Sequence, residues 1–453
     1  DGRSAKVIAT GFRNPDGLGL TPDGMATVPC SEGGWTPASM VCGVPTADRD
    51  TPLHHGYRGP VNDRAPEVPL VYLPRGIDNS AGGQVFVDSD KWGPVQGQLI
   101  HTSFGTGTHA LVLRDQVGDQ WQGAVVPLAG DFLSGTHRAR FHPVDGQLYV
   151  SGMQGWGTYT PDDGCFQRVR YTGQNVQLPI GFKVHQNGVA IRFSQPIDKQ
   201  VAEQVGNHFA QAWNYRYSSA YGSPEFSPSQ TSIPGHDLWL IKSAHVVDDG
   251  LTLFLEIPQL QPVNQLHLLL QVSAEQQREV FVTVNALDQP RREIPGVESA
   301  SKHVQPHPMQ RDMAMLKHVQ VNPFAKKIKG ARAVEIATAD NLTYATPLFE
   351  VQAGEAVALT LVNPDVVPHN IAIVKPGALE DVGRQSDRLI SDPNAAFRHY
   401  VPDSPSVIAY TDVVTPKQRF TIYFKAPKRP GRYPFLCTFP GHWKVMNGVM
   451  VVK

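Results

Sequence analysis

Residues 433–452 read YPFLCTFPGHWKVMNGVMVV, and the spacing of three side chains in this stretch decides how the chain is read. Cys437 is followed by His442 and then by Met446, all within one short loop between two apolar runs. A cysteine, a histidine and a methionine at a strand end are often ordinary core packing. Packing alone does not predict the Pro440-Gly441 turn before the histidine, nor a matching Pro-His-Asn segment upstream. That segment is LVNPDVVPHNIAIV (361–374), in which His369 follows one apolar strand and precedes another.

A thiolate, two imidazoles roughly in a plane and a weak axial sulfur are what a mononuclear electron-transfer copper site needs. Cys437, His442 and Met446 supply three of these groups from one loop. A tight loop cannot place two histidines and a cysteine in one plane, so the second imidazole must come from elsewhere, and His369 is the candidate. A trinuclear copper cluster would require paired His-x-His motifs and a His-Cys-His run. Cys437 is flanked instead by Leu436 and Thr438.

CTFPGHWKVM (437–446) resembles the ligand loop of azurin-like cupredoxins, and VPHNIAIV (367–374) resembles the segment that carries their upstream histidine. The resemblance covers roughly the final 120 residues. It implies a Greek-key cupredoxin barrel over 331–453, with His369, Cys437 and His442 as equatorial ligands and Met446 as the axial one. It further implies backbone N–H groups of Asn370 and Phe439 directed at the sulfur. Pro368 stands where the family offers a glycine carbonyl. The family's disulfide is absent, because Cys437 is the only cysteine in this domain. On this reading one electron moves per cycle and no substrate bond changes. His442 is the expected electron port, ringed by an apolar docking patch of Pro440, Gly441, Trp443 and Val445. Lys425, Lys428, Arg429, Arg432 and Lys444 are expected to make the same face basic, and His399 to lie on the surface.

Working outward, LGLTPDGMATV (18–28), QVFVDSDKWGPVQGQLIHTS (84–103) and ARFHPVDGQLYV (139–150) repeat a strand, a turn built on Pro, Asp and Gly, and a second strand. GFRNPDGLGLTPDG followed by EGGWTPAS resembles the six-bladed propellers of soluble sugar dehydrogenases that use pyrroloquinoline quinone. That likeness implies partial propeller blades, about three, over 1–177, completed by another chain or a longer precursor. His101, His109, His137, His142 and Arg138 read as turn and blade-packing residues. Residues 178–287 alternate like the strands of an immunoglobulin-like β-sandwich, with a candidate helix in KQVAEQVGNHFAQAWNY. Residues 288–330 read as a linker whose His303, His307, His318, Met309, Met313 and Met315 form a strap packed on a neighbouring domain.

The expected class is therefore all-β. With 41 Gly, 38 Pro and short apolar runs among 453 residues, composition agrees with many turns and roughly two to four domains. A formal net charge of −1 gives no reason to expect nucleic acid or an anionic membrane. No apolar run approaches the ~20 residues of a bilayer span. DGRSAKVIATGF lacks an initiator Met and a signal sequence, so the chain reads as a processed product or fragment. Cys30 and Cys42 flank a short loop and are a candidate disulfide in an oxidising compartment, with Cys165 left as a small buried hydrophobe. The expected function is electron transfer in a bacterial periplasmic or extracellular multidomain protein, between a redox donor and a redox acceptor. The alternatives are a dehydrogenase in which propeller blades oxidise a sugar or alcohol and pass electrons to copper, and a scaffold subunit of a redox assembly.

Overall fold

Strands such as Ala356–Val362 and Asn447–Val452 alternate buried and half-buried residues, whereas others, such as Leu99–Ser103 and Thr252–Glu256, are buried along their whole length. The protein is described by a computed structural model covering all residues except 1–3, 63, 156–157, 232, 317–321, 340, 390–391 and 393–394. His318 and the side chain of Met315 lie outside the described residues. The chain divides into two units. One takes in Asp1–Tyr217, Gly222–Thr231 and Gly235–Met313; the other takes in Ala314–Lys453 with Ser218–Tyr221 and Ser232–Pro234.

In the first unit each of the three echoed segments becomes an antiparallel hairpin. Gly19–Leu20 pairs with Met25–Cys30, Ala81–Phe86 with Leu99–Ser103, and Thr136–Phe141 with Leu148–Met153. The Pro-Asp-Gly turn works because Gly24 takes φ of 81°, which a side chain disfavours. One eight-stranded sheet then runs across the division expected at 177/178. Its order is Asp237–Leu238, His208–Trp213, Val263–Gln271, Gln277–Val284, Gln120–Pro127, His109–Val117, Leu99–Ser103 and Ala81–Phe86. The joint is the antiparallel pairing of Ala124 with Val282. A second sheet, Pro179–His185, Gly188–Phe193, Thr252–Glu256 and Ser243–Val247, shares its apolar core, which holds Val184, Ile191 and Leu255 with Leu266, Leu268 and Val282.

The candidate helix in KQVAEQVGNHFAQAWNY is only partly helical. Asp198 caps one turn at Lys199–Ala202, and the chain then becomes the strand His208–Trp213. Gly206 and Asn207 interrupt the helix, and Ala210 and Ala212 alternate into the core against Val263–Gln271. The expected linker is also largely structured. Asn187 binds the carbonyls of Arg291 and Glu298, and a helix spans Pro308–Leu316 with Met309 and Met313 buried.

The second unit packs two sheets face to face. One runs in the order Thr343–Tyr344, Arg332–Ala339, Ala356–Val362, Arg419–Lys425. The other runs Leu348–Val351, Asn447–Val452, Gly431–Leu436, Ala372–Val374, Val407–Tyr410. Period-2 patterning points Val357, Leu359 and Leu361 inward from the first and Ile373, Phe435 and Met450 from the second. Phe435 sits centrally, 5.2 Å from the ring of Tyr344 and 5.7 Å from that of Phe349. Between the strands Ala372–Val374 and Val407–Tyr410 lies the helix Leu379–Arg388. Phe435→Ala is expected to destabilise this unit by about 3–5 kcal/mol. Scanning calorimetry of the full chain should show one transition falling while the other holds, and an unchanged thermogram would contradict this packing.

Candidate metal centre

The register of one strand pair builds the site. Ala372 lies opposite Leu436 in antiparallel pairing, so residues 369–371 continue beside residues 437–439. On the other side, Leu436 opposes Asn447, and the Cys437 N–H donates to the Met446 carbonyl at 3.0 Å. A single strand end therefore carries Cys437 with the His369 segment on one flank and Met446 on the other. The turn between them is tightened by the His442 N–H on the Phe439 carbonyl (3.1 Å) and the Met446 N–H on the His442 carbonyl (2.9 Å).

Cys437 Sγ lies 3.9 Å from His369 Nδ1 and 3.6 Å from His442 Nδ1. The ligand atoms of these three residues all fall within 4.8 Å of one another, the one such grouping of His, Cys, Asp and Glu among the described residues. Cys437, His369 and Met446 are fully buried, while His442 is half-buried and reaches solvent. One soft sulfur and two imidazole nitrogens around a shared point, with a thioether in the same core cluster, fit copper by donor type.

Burial sets the charge state of the metal-free pocket. Burial pushes the Cys437 thiol up to about 12, although backbone N–H groups of Asn370 and Phe439 pull the other way. Burial pulls His442 down to about 4, with His369 beside it adding to the effect. Burial also lowers His369, against the opposing pull of Asp365. A metal-free pocket is thus a neutral thiol facing neutral imidazoles, and a bound cation compensates the thiolate that burial alone disfavours.

Behind the ligand positions lies a hydrogen-bonded frame. Asn370 accepts from the Thr438 N–H and donates to Thr438 Oγ1, both at 2.8 Å, riveting the His369 segment to the loop. Its carbonyl accepts from the Tyr344 hydroxyl at 2.6 Å. Asn363 donates to the carbonyls of Val367 and Val414 and accepts from the Asp365 N–H, which shapes the turn before His369. His369 Nε2 meets Asp365 Oδ2 at 3.0 Å. That contact assigns the proton to Nε2 and leaves the Nδ1 lone pair facing the sulfur. Sequence reasoning missed Asp365; its signal was a carboxylate four residues before the candidate histidine.

Other expectations fare differently. Pro440, Gly441 and Val445 lie on the solvent side of the loop, with Val445 57% exposed, but Trp443 turns inward and is only 7% exposed. Its indole lies against Gly383 of the Leu379–Arg388 helix, where no side chain intervenes. Lys444 flanks the site. Arg432 stands five residues up the Gly431–Leu436 strand from Cys437, roughly 16 Å away. Lys425 pairs opposite Ala356 at that same remote end, so the basic residues do not share one face with the loop. His399 is no free surface residue: its carbonyl accepts from Asn370, and its ring meets Asp412 at 3.2 Å. Pro368 is buried beside His369.

In the first unit, Cys30 and Cys42 Sγ are 4.0 Å apart, both buried thiols. Cys165 is half-buried against the core. His101 is buried between Asp78 and Gln84, His137 binds Asp16, His109 packs on Phe132, and His142 accepts N–H bonds in its own turn. His307 Nδ1 accepts from the Met309 N–H. These are packing and turn roles.

Replacing Asp365 by Asn removes the charge behind His369 while keeping an acceptor. Copper affinity is expected to fall about 10- to 100-fold. The reduction potential should rise, because the anion favours the more highly charged oxidised metal. A metal titration and a potentiometric titration check this; wild-type values in both would show the carboxylate to be idle.

Comparison with known proteins bears on the same segment. The family described as copper binding proteins, plastocyanin/azurin family, matches residues 331–453. Auracyanin-B of Chloroflexus aurantiacus is 31% identical over 126 residues, which are 27% of this chain and 52% of that protein. Auracyanin-A of the same organism is 30% identical over 127 residues, 27% of this chain and 76% of its own length. Outer membrane protein H.8 of Neisseria meningitidis serogroup B is 29% identical over 127 residues, 26% of this chain and 66% of that protein. The chain thus spans about half of auracyanin-B and three quarters of auracyanin-A. Through residues 331–453 this chain belongs to the plastocyanin/azurin family of copper-binding proteins, and its cofactor is a type 1 copper.

Proposed function

We propose that the protein is an electron carrier in which His369, Cys437 and His442, with Met446 beside them, would hold the copper. The observation that carries this reading is the convergence of one buried sulfur and two imidazole nitrogens within 4.8 Å on a rigid strand pair. Copper bound there supplies a one-electron couple, and no substrate bond need change. The protein's own part is to resist rearrangement. Asn370 and Thr438 lock the two ligand segments together, and Asp365 fixes the His369 ring. Cys437 and His369 are shut off from water, leaving the half-exposed edge of His442 as the electron port. Around it, Pro440, Gly441 and Val445 offer a small apolar surface for brief docking of a redox donor or acceptor.

The setting we infer is the periplasm or exterior of a bacterium, in keeping with a relative named as an outer membrane protein. We read the antiparallel sheets within 19–72, 81–127 and 136–169 as propeller-type blades, because the strand at Ala81–Phe86 packs on both Gly19–Leu20 and Thr136–Phe141. A second copy or another chain would complete them. The strands of 178–287, four of which share a sheet with strands of 81–127, form with that sheet the immunoglobulin-like sandwich of this reading, acting as a spacer or scaffold.

Copper-loaded protein should show an intense visible thiolate-to-copper band, and Cys437→Ser should abolish it. Loaded wild-type protein without that band would overturn the proposal.

A further inference from the structure

The helix Leu379–Arg388 lies outside both sheets of its unit and supplies no ligand candidate, yet its packing is directed at the ligand loop. Asp387, in its last turn, accepts from the backbone N–H of Gly441 through Oδ1 at 3.0 Å. The same carboxylate accepts from Trp443 Nε1 through Oδ2 at 2.8 Å. Gly441 and Trp443 are the two residues that flank His442 in the chain. Both neighbours of one candidate ligand are therefore tied to a single side chain.

A second, independent feature serves the same contact. A Cβ built on Gly383 would fall 2.3 Å from Trp443 Cδ2, so only glycine lets the helix approach the indole this closely. Glycine is a poor interior helix residue, and here close packing on the loop accounts for it. Val382 of the helix completes a small core with Trp443, Leu436, Ala372 and Val374. Those residues come from the same strand pair whose register brings His369 to Cys437.

We propose that Asp387 is the positioning residue for His442. Its carboxylate, presented by a helix docked on Trp443, clamps the loop on both sides of the one ligand that reaches solvent. The other ligands do not need such a clamp: Cys437 and Met446 are tied to each other by a backbone bond, and His369 is bridged to Val414. His442 sits at the crown of the loop, where Gly441 takes φ of 85° and no strand partner restrains the chain. The inference rests on the metal-site reading for its functional meaning, but the clamp itself is a property of the metal-free loop.

The test compares wild type, D387A and the near-isosteric D387N in the full chain, with fold checked by circular dichroism. In metal-free protein, hydrogen exchange at the Gly441 amide and the Trp443 indole should quicken about tenfold or more in D387A, as expected on losing bonds to a charged acceptor. Amides of the Gly431–Leu436 strand should keep their wild-type rates. D387N, with one acceptor oxygen in place of two, should fall between. In copper-loaded protein, loss of metal to a chelator should accelerate in the same order. Unchanged exchange at Gly441 in D387A overturns the clamp, and faster exchange with unchanged metal release overturns its role in positioning His442. Should wild-type protein show no thiolate-to-copper band, the electron-carrier reading falls while the exchange measurement still decides the clamp.

Discussion

The antiparallel pairing of Ala372 with Leu436 is the contact on which the C-terminal unit's chemistry depends. It is a backbone constraint, set where two apolar strands bury their inward residues in one core. Because side chains alternate along a strand, a slip of one residue would turn Ile373 and Phe435 away from that core. Hydrophobic burial therefore holds the register, and the register holds His369 beside Cys437. The metal centre inherits its precision from packing several residues away.

A second layer of control comes from polar groups that no metal touches. Asn370 and Thr438 join the two ligand segments reciprocally, Asn363 shapes the turn before His369, and Asp365 orients the ring. Each is buried or half-buried, so each bond lies in a medium where losing a partner is costly. The frame is densest around Cys437 and His369, while the neighbours of His442, the ligand nearest to water, are held from outside the sheets by Asp387. Rigidity at the buried ligands and access at one edge are the two things a carrier of single electrons requires.

Much of the candidate site was legible in the sequence because copper chemistry restricts residue types at local intervals. Cys437, His442 and Met446 stand within one loop, and His369 is marked by the strands on either side of it. Asp365 left only a faint trace, a carboxylate four residues before His369, and Asp387 left none, since nothing in its immediate neighbours shows where the helix will later dock. Trp443 was misplaced for the same reason: an indole beside Gly-His in the chain looks exposed until a distant glycine turns out to receive it. In the first unit the three hairpins were readable from their Pro-Asp-Gly turns, which are local signals. The union of Gln120–Pro127 with Gln277–Val284 was not, because pairing partners separated by so much chain leave no local trace.

That union bears on how such a chain can be cut and recombined. The copper-binding fold draws all its strands from one uninterrupted stretch, Arg332 to Val452, so it can be gained, lost or grafted whole. The first unit offers no such seam at residue 177. Severing it near residue 177 would strip Gln277–Val284 of a neighbour and leave a raw row of amides and carbonyls, an invitation to self-association. Gene fusion and fragment expression face the same asymmetry: the strands of the C-terminal fold lie in one block of sequence, whereas a cut near residue 177 divides a sheet.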